Sequence, residues 1–314
     1  MAPVVTVVIP AFDAGATIGR TLEALARQDL TEEFETIVVD DGSRDGTVEA
    51  VERAPLPVRL LRQDNRGPAA ARNAGGTAAR SPVLAFTDAD CFPAPGWLRE
   101  GLGAIAQTDL VQGAVRPDPG ATRHPLDRTL WVVRESGLYE TANLFVRRDA
   151  FERVGGFEDW LPAAVGKPVA EDVWLGWRLR RAGARTCFSP AAMVEHAVFP
   201  QTVSERVTDG LRLYHFPFMA ARIPELRDTL FYRRAFLSRR TAEFDLAIAG
   251  LAAAARSRSL LPALAAAPYA WRVGTETLGW RRHAPRAAAG RILADAAGFA
   301  ALLAGGVRAR SLVL

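Results

Sequence analysis

Ser81-Pro-Val-Leu-Ala-Phe-Thr-Asp-Ala-Asp90 carries an apolar run directly into two carboxylates one residue apart. A short apolar run ending in polar residues reads as a buried strand, so the acids fall in the loop at its carboxyl end. Two carboxylates in such a loop suit a hard divalent cation that carries a diphosphate. Asp-x-Asp alone is common in turns, and its neighbours decide how it is read.

Upstream, Val4-Val-Thr-Val-Val-Ile-Pro10 is a second apolar run, too short for a secretory segment and without a basic flank. A helix is expected from about Thr17 to Gln28, with Ile18, Leu22 and Leu25 on one face. Thr36-Ile-Val-Val-Asp40-Asp41-Gly42-Ser43 again runs from strand into acidic turn, and Asp45-Gly46 precedes another helix. Val58-Arg-Leu-Leu61 reads as a third strand. Gly67-Pro68 opens an alanine-rich helix to about Ala79, with proline at the first helical position, where its missing N–H costs nothing. Short strands alternating with helices predict an α/β fold with a mostly parallel, helix-flanked sheet, whose ligand site lies beyond the carboxyl ends of the strands. Pro10, Asp41 and Asp88 all fall at such ends.

Four strings, Val8-Ile-Pro-Ala-Phe-Asp13, Val38-Val-Asp-Asp-Gly-Ser-Arg-Asp-Gly-Thr47, Asn65-Arg-Gly-Pro-Ala-Ala-Ala-Arg-Asn-Ala-Gly75 and Thr87-Asp-Ala-Asp90, together resemble family 2 glycosyltransferases of the GT-A fold. Arg147-Arg148, Val154-Gly-Gly-Phe-Glu158 and Glu171-Asp172, followed by Leu175, Arg178 and Gly183, resemble the acceptor half of that family in the same order. Any one string is weak; the ordered set, spanning about residues 4–200, is specific.

The resemblance implies inverting transfer of a sugar from a nucleoside diphosphate to an acceptor hydroxyl, assisted by Mn²⁺ or Mg²⁺. It makes Asp172 the general base, a role that partial burial would favour by raising the carboxyl pKa, with Trp174 and Trp177 near enough in sequence to supply apolar surroundings. It places Asp90 on the metal, with Asp88 on the metal or the ribose and His196 as a further ligand. Pro10, Phe12, Asp41 and Arg72 fall on the donor side: the Phe12 ring lies against the nucleotide base, Asp41 accepts a hydrogen bond from it, and Arg72 approaches the donor. Glu171 and Trp174 fall on the acceptor side. Asp13 stands where asparagine is frequent and is left unassigned.

Each residue has a structural alternative. Asp40 and Asp41 can open an Asx-type turn before Gly42, the role assigned to Asp40. Phe12 can be core, Arg72 solvated on its helix, His196 paired with Glu195, and Asp172 a surface acid paired with Arg178. Gly155-Gly156 reads as a helix-stopping turn rather than a phosphate cradle. The order of the motifs favours the site roles for Asp172 and Asp90.

The chain of 314 residues has room for a catalytic domain over residues 1–200, with a donor half to about 110 and an acceptor half over 111–200, and a helical region over 201–314. Cys91 and Cys187 are too few for a disulfide framework and read as packing residues. The net charge of +4 conceals an asymmetry, because residues 201–314 hold 17 Arg, no Lys and 8 acids, a balance of +9 that leaves −5 for the first 200. Clusters such as Arg233-Arg234, Arg239-Arg240 and Arg281-Arg282 suit anionic lipid headgroups or a phosphorylated acceptor, or else a solvated helical face. No nucleic-acid-binding motif is present.

Two apolar blocks, Phe244 to Ala255 and Leu260 to Trp271, would each form a helix of roughly 18 Å, short of the roughly 30 Å of hydrocarbon a span must cross. Joining them would bury Arg256 and Arg258 at about 2.5–3.5 kcal/mol apiece. Shallow interfacial contact or a packed helical subdomain is cheaper. A last helix, about Ala287 to Ala304, is expected to bury Ile292, Ala296, Phe299 and Leu303 and to stop at Gly305-Gly306. The Gln-x-x-Arg-Trp signature of processive synthases is missing after Asp172, which points to non-processive addition to a glycan or lipid-linked acceptor of the cell envelope, in the cytoplasm at the inner membrane face. A sugar nucleotidyltransferase should show a Gly-rich basic loop at its first strand, which Val8-Ile-Pro-Ala-Phe-Asp13 lacks, and a non-catalytic glycan-binding scaffold would not need Asp88, Asp90 and Asp172. Donor base, sugar and acceptor depend on the loops 112–145 and 158–170.

Overall fold

The computed structural model describes residues 2–161 and 169–314, so part of the acceptor-side loop 158–170 lies outside the described residues. The described chain forms two compact units: residues 2–121, 129–160 and 169–198 make the first, residues 122–128 and 199–314 most of the second.

In the first unit β1 (Val5–Ala11), α1 (Ile18–Ala26), β2 (Phe34–Asp40), α2 (Thr47–Glu52), β3 (Arg59–Arg62), α3 (Pro68–Ala78) and β4 (Val83–Phe86) alternate as the apolar periodicity predicts. They are followed by β5 (Cys91–Pro93), α4 (Trp97–Ile105), β6 (Leu110–Pro117), β7 (Leu144–Arg147), α5 (Arg148–Arg153), α6 (Glu171–Arg181) and β8 (Thr186–His196). The eight strands form one sheet in the order β3-β2-β1-β4-β7-β6-β8-β5. Six run in one direction and only β7 and β5 oppose them, which agrees with the mostly parallel sheet expected. β4 is buried along its whole length, as a strand covered on both faces must be. Ile18, Leu22 and Leu25 of α1 are fully buried against that sheet core.

Two features aim the site. The amide of buried Asn143 is fully used, donating to the carbonyls of Ala114 and Ala192 and accepting from Trp97 Nε1, and so it ties β6, β8 and α4 together. At the far end of the sheet β5 pairs antiparallel with the end of β8, with Cys91 opposite His196.

The second unit is helical: α7 (Val203–Leu211), α8 (Phe216–Arg222), α9 (Leu226–Thr229), α10 (Arg239–Ser257), α11 (Ala267–Thr277) and α12 (Ala284–Ala309). Capping boxes open α7 at Thr202 and Glu205 and α10 at Ser238 and Thr241. The first apolar block lies within α10, and the second is a 3-10 run, Leu261–Ala266, followed by α11.

The last helix departs from expectation twice. Its buried face is Ala287, Gly290, Ala294, Gly298, Ala301, Leu302, Gly305 and Gly306, while Ile292, Ala296 and Leu303 are exposed and Phe299 is half-buried. It also runs through Gly305-Gly306 and ends at Arg310, which takes the left-handed conformation. Backbone contact explains both: a Cβ on Gly210 of α7 would lie 2.5 Å from the Ala294 carbonyl oxygen, and one on Gly305 would lie 2.3 Å from that of Tyr214. A helix that packs this closely must present its small residues, so the larger apolar side chains turn outward.

Candidate active site

The loop after β4 is held from both sides. Thr87 N–H donates to the Val8 carbonyl and its hydroxyl to the Ala142 carbonyl, and Cys91 N–H donates to the Asp88 carbonyl. The β5–β8 pairing then sets Asp90 beside His196, with Nε2 3.7 Å from Oδ2. His196 Nδ1 lies 2.6 Å from the Ala197 carbonyl, which can only accept, so in the neutral ring Nδ1 carries the proton and Nε2 keeps its lone pair. Ligand-capable atoms of Asp90, His196 and Cys91 all lie within 4.8 Å of one another. Burial pushes the Cys91 thiol well above its ordinary pKa, and a hard divalent ion would take the carboxylate oxygen and the imidazole nitrogen of this cluster in preference to its soft sulfur. Asp88 is not in this cluster.

Asp88 is instead bound to Arg72. This arginine, on α3, is buried, and its guanidinium donates to Asp88 Oδ1 at 2.9 Å and to Glu171 Oε1 at 3.0 Å. Burial acts to lower its pKa, but the charges of Asp88 and Glu171 more than offset that and keep it cationic. The solvated-helix alternative for Arg72 therefore fails. Next to Glu171, at the start of α6, Asp172 accepts its own helix's Val173 N–H. Burial first, and the Glu171 charge second, push the Asp172 carboxyl well above the ordinary range, and Arg72 opposes them. Arg178 is not its partner, since that guanidinium donates to the carbonyls of Val154 and Gly156.

A carboxylate that no motif predicts also faces Asp172. Glu140, just before the 3-10 turn Thr141–Asn143, adds its negative charge to those acting on Asp172. Burial pushes the Glu140 carboxyl up to about 7, and its Oε2 is buried without a hydrogen-bond partner. Its only sequence signal is position, a few residues before the apolar run of β7. Trp174 and Trp177, two and five residues along the helix from Asp172, lie roughly 200° and 140° around it. Trp174 donates to Glu158 Oε2 at 2.9 Å and meets the Trp160 ring at a tilt of 53°, and Trp177 donates to the Gly137 carbonyl.

On the donor side Phe12 is 40% exposed just past the end of β1, so it is not core. Pro10 lies half-buried within β1, opposite Val39. Asp41, just past β2, accepts from Gln63 Nε2 and from the N–H groups of Arg66 and Gly67, at 2.7, 2.9 and 2.9 Å. These use three of about four acceptor positions of a carboxylate and tie the entry of α3 to the sheet. Asp40 accepts from Ser43 N–H at 3.1 Å, the turn role assigned to it. Gly155 and Gly156, both at positive φ, close α5 by donating to the Glu152 and Phe151 carbonyls. Asn73, next to Arg72, then clamps the Phe157 backbone by both its N–H and its carbonyl.

Residues 6–157 match the family described as Glycosyl transferase family 2. The chain carries a family 2 glycosyltransferase domain. The chain is 35% identical over 174 residues to glycosyltransferase AglE of Haloferax volcanii, a match covering 51% of this chain and 57% of that one. It is 32% identical over 211 residues to the pre-mycofactocin glycosyltransferase of Mycobacterium tuberculosis, covering 61% and 42% respectively. The chain thus spans about half the length of the curated relatives it matches. In fold it is similar to the mannosyltransferase PcManGT of Pyrobaculum calidifontis, solved with GDP-Man and Mn²⁺, at a TM-score of 0.63 and 24% identity over 95% of this chain and 88% of that one. Residues 1–349 of S. aureus TarS, solved with UDP-GlcNAc, superpose with a TM-score of 0.53 at 16% identity, covering 98% and 92%. The fold is GT-A.

Proposed function

We propose that the chain transfers a sugar, with inversion, from a nucleoside-diphosphate sugar to an acceptor hydroxyl, and that residues 1–200 carry the reaction. The observation that carries this reading is the buried Arg72, which joins the Asp88–Asp90 loop to the N-terminus of α6 and so sets a diphosphate-binding side against Asp172. In a single displacement the acceptor oxygen bonds to the anomeric carbon while the bond to the diphosphate oxygen breaks. The acceptor's proton passes to Asp172, whose raised pKa suits it to take a proton near neutrality. Glu171, held by Arg72, positions the base rather than replacing it, and with Trp174 it belongs to the acceptor side.

Asp90 and His196 would hold the divalent cation. Their oxygen and nitrogen donors fit Mn²⁺ better than Mg²⁺, which prefers oxygen throughout. When bound, the ion supplies Lewis-acid stabilisation of the leaving diphosphate. Asp88 has one carboxylate oxygen engaged by Arg72 and the other available to the ribose or the ion. The exposed Phe12 ring offers a face to the nucleobase, Pro10 lines that side, and Asp41 has about one acceptor position left for the base. The transfer is non-processive, to a glycan or lipid-linked acceptor of cell-envelope polysaccharide biosynthesis, at the cytoplasmic side.

The test is a panel of nucleotide sugars, including the GDP-Man and UDP-GlcNAc held by the two structural relatives, incubated with Mn²⁺ and assayed for released nucleoside diphosphate. Release with at least one donor, stimulated by an acceptor, is expected. Donor binding with no release would make the chain a scaffold, and pyrophosphate formed from a nucleoside triphosphate and a sugar 1-phosphate would make it a nucleotidyltransferase.

A further inference from the structure

We propose that an exposed apolar stripe on the helical run after α10 docks the protein onto an anionic lipid bilayer. Leu261, Leu264, Trp271 and Leu278 recur at spacings of 3, 7 and 7, which places them on one face of the run from Leu261 to His283. With Leu260 they are 69–86% exposed. Single exposed leucines need no explanation, but five large apolar residues within one short segment do. The carbonyl of Pro262 and the side chain of Ala265 pack on Gly250 of α10, beside the exposed Leu251.

Charge selects the occupant. From Leu246 to Thr275 the charged side chains are Arg256, Arg258 and Arg272, with no acid among them. Arg272 is neutralised by Glu243, but Arg256 and Arg258 are exposed and have no ion-pair partner among the described residues. Glu276, between Trp271 and Leu278, is bound by Arg240 and Arg291, so the unpaired charges beside the stripe are the cations Arg256 and Arg258, which complement anionic headgroups over acyl chains, with Trp271 suited to the boundary. Of the arginines that the sequence puts forward for this role, three are committed elsewhere: Arg234 to Asp228, Arg239 to Glu243, and Arg240 to both Glu276 and Asp295.

The helical run Leu261–Ala309 includes a window of mean hydropathy 1.5, long and apolar enough to cross a membrane. Three features favour surface docking over a span. The run is broken at Arg281, where φ is 49° and ψ −115°. In α12, Asp295 is bound by Arg240 and by the Tyr269 hydroxyl. The small-residue face of the same helix is already buried within the second unit.

The full-length protein is tested by co-sedimentation with vesicles of phosphatidylcholine alone or mixed with phosphatidylglycerol. Binding to the mixed vesicles is expected, weakened by salt but not abolished, and reversed by alkaline carbonate. Arg256→Gln with Arg258→Gln should lower affinity for mixed vesicles about 30-fold and leave any binding to neutral vesicles unchanged. Leu261→Ser, Leu264→Ser and Trp271→Ser together should lower binding at least about 100-fold on the mixed vesicles. The replaced side chains are exposed, so unchanged circular dichroism and melting temperature keep misfolding apart from lost docking. No binding to mixed vesicles at low salt, binding that resists carbonate, or a dimer in light scattering that the apolar substitutions dissociate would each overturn the proposal. These readouts do not depend on sugar transfer.

Discussion

His196 directs Nε2 at Asp90, 3.7 Å from Oδ2, because the residue after Asp90 is the antiparallel partner of His196 in the sheet. Sheet register, more than loop shape, therefore brings the carboxylate and the imidazole together. A pair fixed by strand pairing needs little rearrangement to receive an ion.

The first prediction concerns that pair. Asp90→Ala should abolish sugar transfer and weaken nucleoside-diphosphate binding in Mn²⁺ while leaving the melting temperature near wild type, since the residue is in a loop. His196→Ala should lower Mn²⁺ affinity, read by electron paramagnetic resonance, without abolishing it. Full activity in excess chelator would remove the metal from the mechanism.

The second prediction separates chemistry from binding. Asp172→Asn keeps the shape of the side chain but not its basicity, so turnover should fall by roughly 10²–10⁴ while donor affinity holds. The base acts deprotonated and its pKa is raised, so kcat/KM should rise with pH through that pKa and then level off. Glu140→Gln removes a like charge facing Asp172, which makes the base easier to ionise and moves this limb to lower pH. A limb that stays in place in the Glu140 variant would show that the two carboxyls do not interact.

Much of this architecture is legible in the sequence because it depends on local period. Ile18, Leu22 and Leu25 announce a helix face, and Asp41 and Asp88 fall past strand ends because apolar runs stop there. What escapes is set by contacts distant in sequence. The buried face of α12 is chosen by backbone proximity at Gly210 and Tyr214, a constraint no periodicity contains. Glu140 is isolated in sequence and acquires its environment only when α6 is laid beside it. The tail arginines look alike as letters, yet the fold pairs Arg240 with two acids and leaves Arg256 and Arg258 without an acid partner among the described residues.

The third prediction follows from the buried Arg72. Removing one partner of a buried ion pair leaves a charge uncompensated, at a cost of about 3–5 kcal/mol. Arg72→Ala should therefore lower the melting temperature by on the order of 10 °C, since about 1 kcal/mol moves a domain of this size by roughly 2–4 °C. Adding Glu171→Gln should restore part of the loss by removing the stranded carboxylate. If the double variant is less stable than the single one, Glu171 is not the charge that Arg72 compensates.

The last prediction uses pH to read the helical unit. Asp245, on α10, faces a small cavity among Leu213, Phe244, Phe299 and Leu302, and its Oδ2 is buried without a partner. Burial raises this carboxyl from the ordinary 3.8 to about 6. The folded state then holds the proton more tightly than the unfolded chain, so this residue's contribution is most favourable below about 4, is lost as pH rises through 6, and is constant above. Asp245→Asn removes the ionisation. Melting temperatures of variant and wild type should nearly coincide at pH 4 and diverge across pH 4–6, with the variant higher by roughly 2–4 °C at neutrality. That corresponds to about 1 kcal/mol once the half-exposed site is allowed its solvent screening. A difference between the two proteins that does not change with pH would mean that the Asp245 carboxyl titrates normally and that its partnerless oxygen is hydrated.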